Sequence, residues 1–230
     1  MNALRKFGGF AALYLVAAYL IGMVIFIAIL DYPSITDPAQ KVSLLVDNQM
    51  LIFSSNLLMY VFFGVFLILL ALALHDRLKS SAPALMQVAT AIGIIWAGSL
   101  IASGMVANAG MDPVVALYAK DPVQAALTWQ GIEAVANGLG NANGEILGGL
   151  WTLLISLAAL RGGALPKGLN ILGLVVGAAG ILSLIPALAG ALIGLFGLGH
   201  IFWYVWLGVV LLRGNPGNIA LKSASVLAPR

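Results

Sequence analysis

The chain contains no cysteine. Disulfide staples, thiolate nucleophiles, iron–sulfur clusters and cysteine zinc sites are therefore excluded. Charge is also scarce. Only 8% of the 230 residues are Asp, Glu, Lys or Arg, against about 25% in soluble domains. The two histidines, His75 and His200, are too few for a three-histidine catalytic zinc site. The serine-nucleophile pattern GxSxG and the P-loop pattern are missing, and the serines of "WAGSLIASG" have no adjacent base. "GLGNANG" holds a Gly-x-Gly among 27 glycines, with no strand–helix turn to carry a dinucleotide. Catalysis is thus without positive support, and no metal or cofactor is expected. The net charge of +3 is not gathered on a soluble domain, so no nucleic-acid partner is expected either.

What is present is apolar. Hydrophobic residues make up 62% of the chain and the mean hydropathy is +1.06, which defines a polytopic membrane protein. A spanning helix needs about 20 largely apolar residues. Scanning for such runs predicts an all-α chain, a single domain over 1–230 with six transmembrane helices near 7–30, 49–74, 86–107, 144–160, 169–189 and 192–212. The first run follows Arg5 and Lys6 but ends "IAILDYPSI", without a small-x-small cleavage site, and is read as a retained helix.

Orientation follows from the basic residues, which collect on cytoplasmic flanks. With the N-terminus inside, Arg5, Lys6, Arg77, Lys79, Arg161, Lys167, Arg213, Lys222 and Arg230 all fall inside, nine of the eleven. Lys41 and Lys120 alone lie outside. Both termini are then cytoplasmic. On the outer side "TDPAQ" and "KDPVQ" each place Asp before Pro with Gln three positions later, and "MDPVV" repeats the Asp–Pro half. This is the signature of a capped helix start, so short outer helices are expected from Asp37, Asp112 and Asp121.

The stretch "GIEAVANGLGNANGEILGG", residues 131–149, fits two arrangements. Glu133, Asn137, Asn141 and Glu145 recur every four residues, as do Gly140, Gly144 and Gly148. A continuous helix from Asp121 into the fourth span would carry a polar stripe beside a glycine groove. Alternatively the Gly/Asn-rich centre is a hinge between an outer helix and the fourth span.

Polar residues concentrate in the outer half of the spans: Ser54, Ser55, Asn56 and Tyr60 on the second, Ser99, Ser103 and Asn108 on the third, Glu145 on the fourth and His200 on the sixth. Intramembrane polar groups face protein or water rather than lipid. They read either as an outward-facing cavity in which Glu145 and His200 meet, or as interhelical hydrogen bonding. In "GLGHIFWYVW" His200 is ringed by Phe202, Trp203, Tyr204 and Trp206. Bis-histidine haem ligation is disfavoured because His75, in "ALHDRLK", sits at the opposite end of its span. An untilted pair of helices separates Glu145 and His200 by about 10 Å along the bundle axis; helix tilt, or an earlier start of the fourth helix, would close that gap.

The segment "ISLAALRGGALPKGLNILGLVVGAAGIL" and the end "LLALALHDRLK" of the second span resemble a family of bacterial six-helix membrane proteins known only as a domain of unknown function. The resemblance implies an integral protein of a bacterial inner membrane and supplies no activity or site residue. "NGLGNANGE" departs from it. The sequence thus carries three functional readings. The first is a non-enzymatic membrane protein whose outward polar pocket binds or senses a small or amphiphilic, lipid-like ligand through Glu145, His200, Asn56, Asn141, Trp203 and Tyr204. The second is a packing subunit whose glycine rows Gly140/Gly144/Gly148, Gly173/Gly177 and Gly190/Gly194 receive partner membrane helices. The third is a proton-coupled transporter using Glu145 and His200. In each, the lipid bilayer is the first partner.

Overall fold

The computed structural model describes residues 3–140 and 145–213. It is all-helical, with no strand among the described residues. The helices are α1 (Ala3–Ile29), α2 (Pro38–Asp47), α3 (Gln49–Leu78), α4 (Pro83–Tyr118), α5 (Pro122–Leu139), α6 (Ile146–Gly162), α7 (Lys167–Leu182) and α8 (Ala189–Arg213). Four of them, α1, α3, α4 and α8, are long and apolar enough to cross a membrane. At 1.5 Å per residue, α6 and α7 are about 25 Å long, just under the ~30 Å hydrocarbon core.

Six helices close into a ring in the order α1, α3, α4, α6, α7, α8 and back to α1. Neighbours run antiparallel. Tyr14 and Tyr19 of α1 meet Phe66 and Phe63 of α3, Gly93 and Trp96 of α4 meet Trp151 and Gly148 of α6, and Gly180 and Gly173 of α7 meet Phe196 and Trp203 of α8. The ring therefore has two distinct ends. At one, Arg5 donates to the Leu211 carbonyl and Arg77 to the Ala164 carbonyl, beside Arg161, Lys167 and Arg213 at helix ends. At the other lie Asp37, Asp112, Asp121, Glu133 and Glu145.

The ring axis is filled by Leu15, Leu67, Leu74, Trp96, Trp151 and Trp203, all buried. Close approach of α6 to α7 depends on glycine. A Cβ built at Gly149 would lie 2.8 Å from the Gly177 carbonyl oxygen, and one at Gly177 would lie 2.8 Å from that of Gly149. These contacts are backbone to backbone, so no rotamer change relieves them. The glycine rows expected to receive partner helices divide accordingly. Gly140, Gly148, Gly173 and Gly177 are used inside the chain, Gly190 and Gly194 face open space, and Gly144 lies outside the described residues.

A second core caps the acidic end, built from Leu30, Val42, Leu45, Ile52, Met111, Val114 and Trp129. It forms because α4, 36 residues long, measures about 54 Å and outruns the hydrocarbon core. Its projecting end packs against α2 and α5. The capping signals at Asp37 and Asp121 are used as read: Asp37 accepts from the Ala39 N–H and Asp121 from the Gln124 N–H. The one at Asp112 is not. Asp112 and Pro113 lie inside α4, where the carboxylate accepts a 2.6 Å hydrogen bond from Gln49 instead of capping a helix.

Residues 131–149 do not form one helix. α5 ends at Leu139 with Gly140 following, and α6 begins only at Ile146, after Glu145 in a non-helical conformation. The hinge arrangement holds on both described flanks, and Glu133 and Asn137 share no stripe with Glu145. The fifth apolar run, expected to 189, is helical only to Leu182, since Pro186 cannot continue the helix.

Gly149→Ala is expected to lower bundle stability by about 1–3 kcal/mol through overpacking. Gly194→Ala, which meets nothing, is expected to be neutral or to stabilise by up to ~1 kcal/mol through helix propensity. Thermal unfolding of both variants in detergent checks the contrast; equal midpoints would contradict the close packing.

Candidate functional site

Two cavities lie side by side at the acidic end of the ring, divided by Met59 and Tyr60. Both dividing residues belong to a π-helical turn, Leu57–Phe62, within α3. Such a turn inserts one extra residue and recurs at functional sites. Here the Tyr14 hydroxyl donates to the Leu58 carbonyl of that turn, at 3.0 Å.

The larger cavity, about 280 Å³, lies beneath the cap. Its apolar wall comes from Phe26, Leu45, Ile52, Ala107 and Trp129, and its polar wall from Asn56, Ser103, Glu133 and Asn137. Glu133 is held from two sides. Lys41 donates to both carboxylate oxygens at 2.9 and 3.0 Å, and the Tyr32 hydroxyl donates at 2.7 Å. The Lys41 ammonium also sits 5.0 Å from the centre of the Tyr32 ring. Burial, chiefly, raises the Tyr32 phenol above its ordinary pKa, and the Glu133 carboxylate adds to the rise, so the hydroxyl remains a donor. Asn56 donates to Asn108 at 2.9 Å, and Ser103 donates to the Ala136 carbonyl at 2.7 Å, tying α4 to α5.

The smaller cavity, about 130 Å³, lies between α1, α3 and α4 and is lined by Tyr19, Met59, Tyr60, Phe63, Trp96 and Glu145, among others. The Glu145 main-chain N–H donates to Ser183, but among the described residues nothing donates to its carboxylate.

Of the residues expected from the sequence to bind ligand, Glu145 lines the smaller cavity and Asn56 the larger. His200, Trp203 and Tyr204 line neither; they are buried in the ring core. Asn141 lies outside the described residues. Glu145 and His200 are not brought together, because both imidazole nitrogens are engaged elsewhere. Nδ1 lies 3.2 Å from the Phe196 carbonyl and Nε2 lies 2.8 Å from the Thr152 hydroxyl. A carbonyl only accepts, so Nδ1 carries the proton and Thr152 donates to Nε2. The reason is depth. Thr152 lies seven residues beyond Glu145, about 10 Å farther along the axis, which is the offset the two spans already imply.

Around His200 the rings of Phe196, Tyr204, Trp203 and Trp96 have centroids at 4.2, 5.0, 5.9 and 6.0 Å. Among the described residues, the indole nitrogens of Trp96, Trp151 and Trp203 and the hydroxyls of Ser156 and Tyr204 have no hydrogen-bond partner. Ring packing rather than polar pairing therefore holds this core. Sequence reasoning overlooked Thr152, Tyr19 and the Lys41–Glu133 pair. The axial offset of the two spans gives the depth at which Thr152 lies, whereas nothing local marks Tyr19 or joins Lys41 to Glu133. Compared with models of protein families, with curated proteins and with solved structures, the chain gives no match.

Thr152→Val leaves the buried imidazole nitrogen unpaired and is expected to cost about 1–3 kcal/mol in denaturant unfolding. Ser99→Ala, whose hydroxyl donates to the Trp96 carbonyl of its own helix, is expected to cost under ~0.5 kcal/mol. Equal losses would remove the structural role assigned to His200.

Proposed function

We propose that the chain is a six-span membrane protein, both ends cytoplasmic, whose outer pocket binds or senses a small or amphiphilic ligand. Six spans are favoured by the place of α6 and α7 in the ring, flanked by helices long enough to cross. The gathering of basic residues at one end and acidic residues at the other supports the orientation. Placement in a bacterial inner membrane rests on the resemblance of the Ile155–Leu182 segment.

The observation that carries the ligand reading is the 280 Å³ cavity and its two-sided lining. Binding sites for small molecules are mostly apolar, with a few convergent polar groups. Here the polar groups come from α3, α4 and α5, while Phe26, Leu45 and Ile52 supply surface for a short chain. Glu145 faces a cavity inside the ring, as a pocket requires and a packing subunit does not. Transport is less favoured, because the axis beneath the cavities is filled by buried indoles and leucines. A packing role retains one supporting feature, the open Gly190/Gly194 face of α8.

With the protein in nanodiscs, monodecanoylglycerol, a neutral single-chain amphiphile, is expected to raise the unfolding midpoint saturably. Ala107→Phe, which places a ring in the cavity, should abolish the rise. Ile95→Phe, on a face 59% exposed, should preserve it. A rise unaffected by Ala107→Phe, or none in the parent protein, would count against the pocket.

A further inference from the structure

The smaller cavity has a chemistry of its own. Four aromatic side chains, Tyr19, Tyr60, Phe63 and Trp96, share its wall with Met59 and a single carboxylate, Glu145. The rings stand steeply to one another: Tyr19 and Phe63 at 83° with centroids 5.4 Å apart, and Phe63 and Trp96 at 71° and 6.5 Å. Among the described residues, no lysine, arginine or histidine lines the cavity. Among the described residues, neither the Glu145 carboxylate nor the Tyr19 and Tyr60 hydroxyls have a hydrogen-bond partner. Its volume of about 130 Å³ is several times what one water needs, about 10–15 Å³.

We propose that this cavity is a binding site for a small organic cation, a quaternary ammonium or protonated amine, held by the Glu145 carboxylate and the faces of Tyr19, Tyr60, Phe63 and Trp96. The inference extends the pocket reading of the outer end and rests on it for access. Aromatic faces attract cations through the ring quadrupole, more strongly where water is excluded, and rings set at steep angles are how ammonium groups are caged. A half-buried carboxylate facing aromatic rings without a donor is costly to ionise alone, and an incoming monocation offsets that cost. A metal ion is a poor alternative: no cluster of three or more His, Cys, Asp or Glu occurs among the described residues, and hard cations want several oxygen ligands.

The cation is either free or the headgroup of an amphiphile whose chain extends past Met59 into the larger cavity. The two sources share one recognition chemistry and differ in their need for a tail.

The test is thermal unfolding of the full chain in nanodiscs at constant ionic strength. Choline and hexyltrimethylammonium are compared with their uncharged counterparts, 3,3-dimethylbutan-1-ol and 1-hexanol, and with sodium chloride. At least one of the two cations should raise the midpoint saturably, and none of the controls should. Choline alone sufficing identifies a free cation; a need for the hexyl chain identifies a headgroup. Glu145→Gln should abolish the shift, and Tyr19→Leu should weaken apparent affinity about tenfold, a readout that stands if the glutamine variant fails to fold. Uncharged counterparts acting as well as the cations, a shift retained in Glu145→Gln, or no shift with either cation would each overturn the proposal. Should monodecanoylglycerol still bind in that event, only the cation site falls; should it fail as well, the pocket reading falls with it.

Discussion

The backbone contact of Gly149 with Gly177 and Gly180 is the constraint on which the rest of the bundle depends. Helices in lipid gain little from burying apolar surface against one another, so they associate through close packing. With α6 against α7 at backbone distance, the ring closes to a radius that three indoles and one imidazole fill. One side chain more at that crossing would leave Trp151 and Trp203, 5.8 Å apart at their centroids, without the walls that hold them. The same economy recurs at Gly148, which seats the edges of Phe196 and Trp96, and at Gly173, which faces Ser156 and Trp203.

A ring filled in this way has different ends. The basic end is closed by charged side chains that bond helix-terminal carbonyls, as Arg77 does at the α6–α7 turn. The acidic end cannot close similarly, because α4 runs on past the ring and draws α2 and α5 over it as a cap. Space remains where the cap meets the ring, and the π-helical turn in α3 divides it. Within the cap Lys41, Tyr32 and Glu133 are paired, whereas among the described residues nothing donates to the Glu145 carboxylate one partition away. In the readings proposed above, that contrast sets a different ligand chemistry for each cavity.

Much of this was legible in the sequence where the determining forces are local. Apolar runs long enough to span, and Asp–Pro starts at Asp37 and Asp121, translate directly into helices. Where long-range packing decides, local signals mislead. Asp112 has the same Asp–Pro dipeptide yet sits within a helix, because docking of α2 and α5 on α4 favours continuity over a cap. The four-residue recurrence of Glu133, Asn137, Asn141 and Glu145 fits one helix as well as a hinge, and the chain leaves helical geometry at Gly140. Pairing is the least legible layer. His200 and Glu145 are the two conspicuous ionisable groups of the outer half, yet the partner of His200 is Thr152, which matches it in depth but which no local pattern joins to it.

In the proposed orientation a polar pocket opens to the outside above a buried aromatic core, with the basic end of the ring in the cytoplasm. The absence of native cysteine allows a direct measurement with single substitutions and a membrane-impermeant maleimide on sealed cells. Asn137→Cys, at the larger cavity, should label from outside. Lys167→Cys should label only after the membrane is permeabilised, and Ser156→Cys, in the core, only after unfolding. Labelling of Lys167→Cys in sealed cells would invert the orientation, and labelling of Ser156→Cys in the folded protein would contradict the buried core.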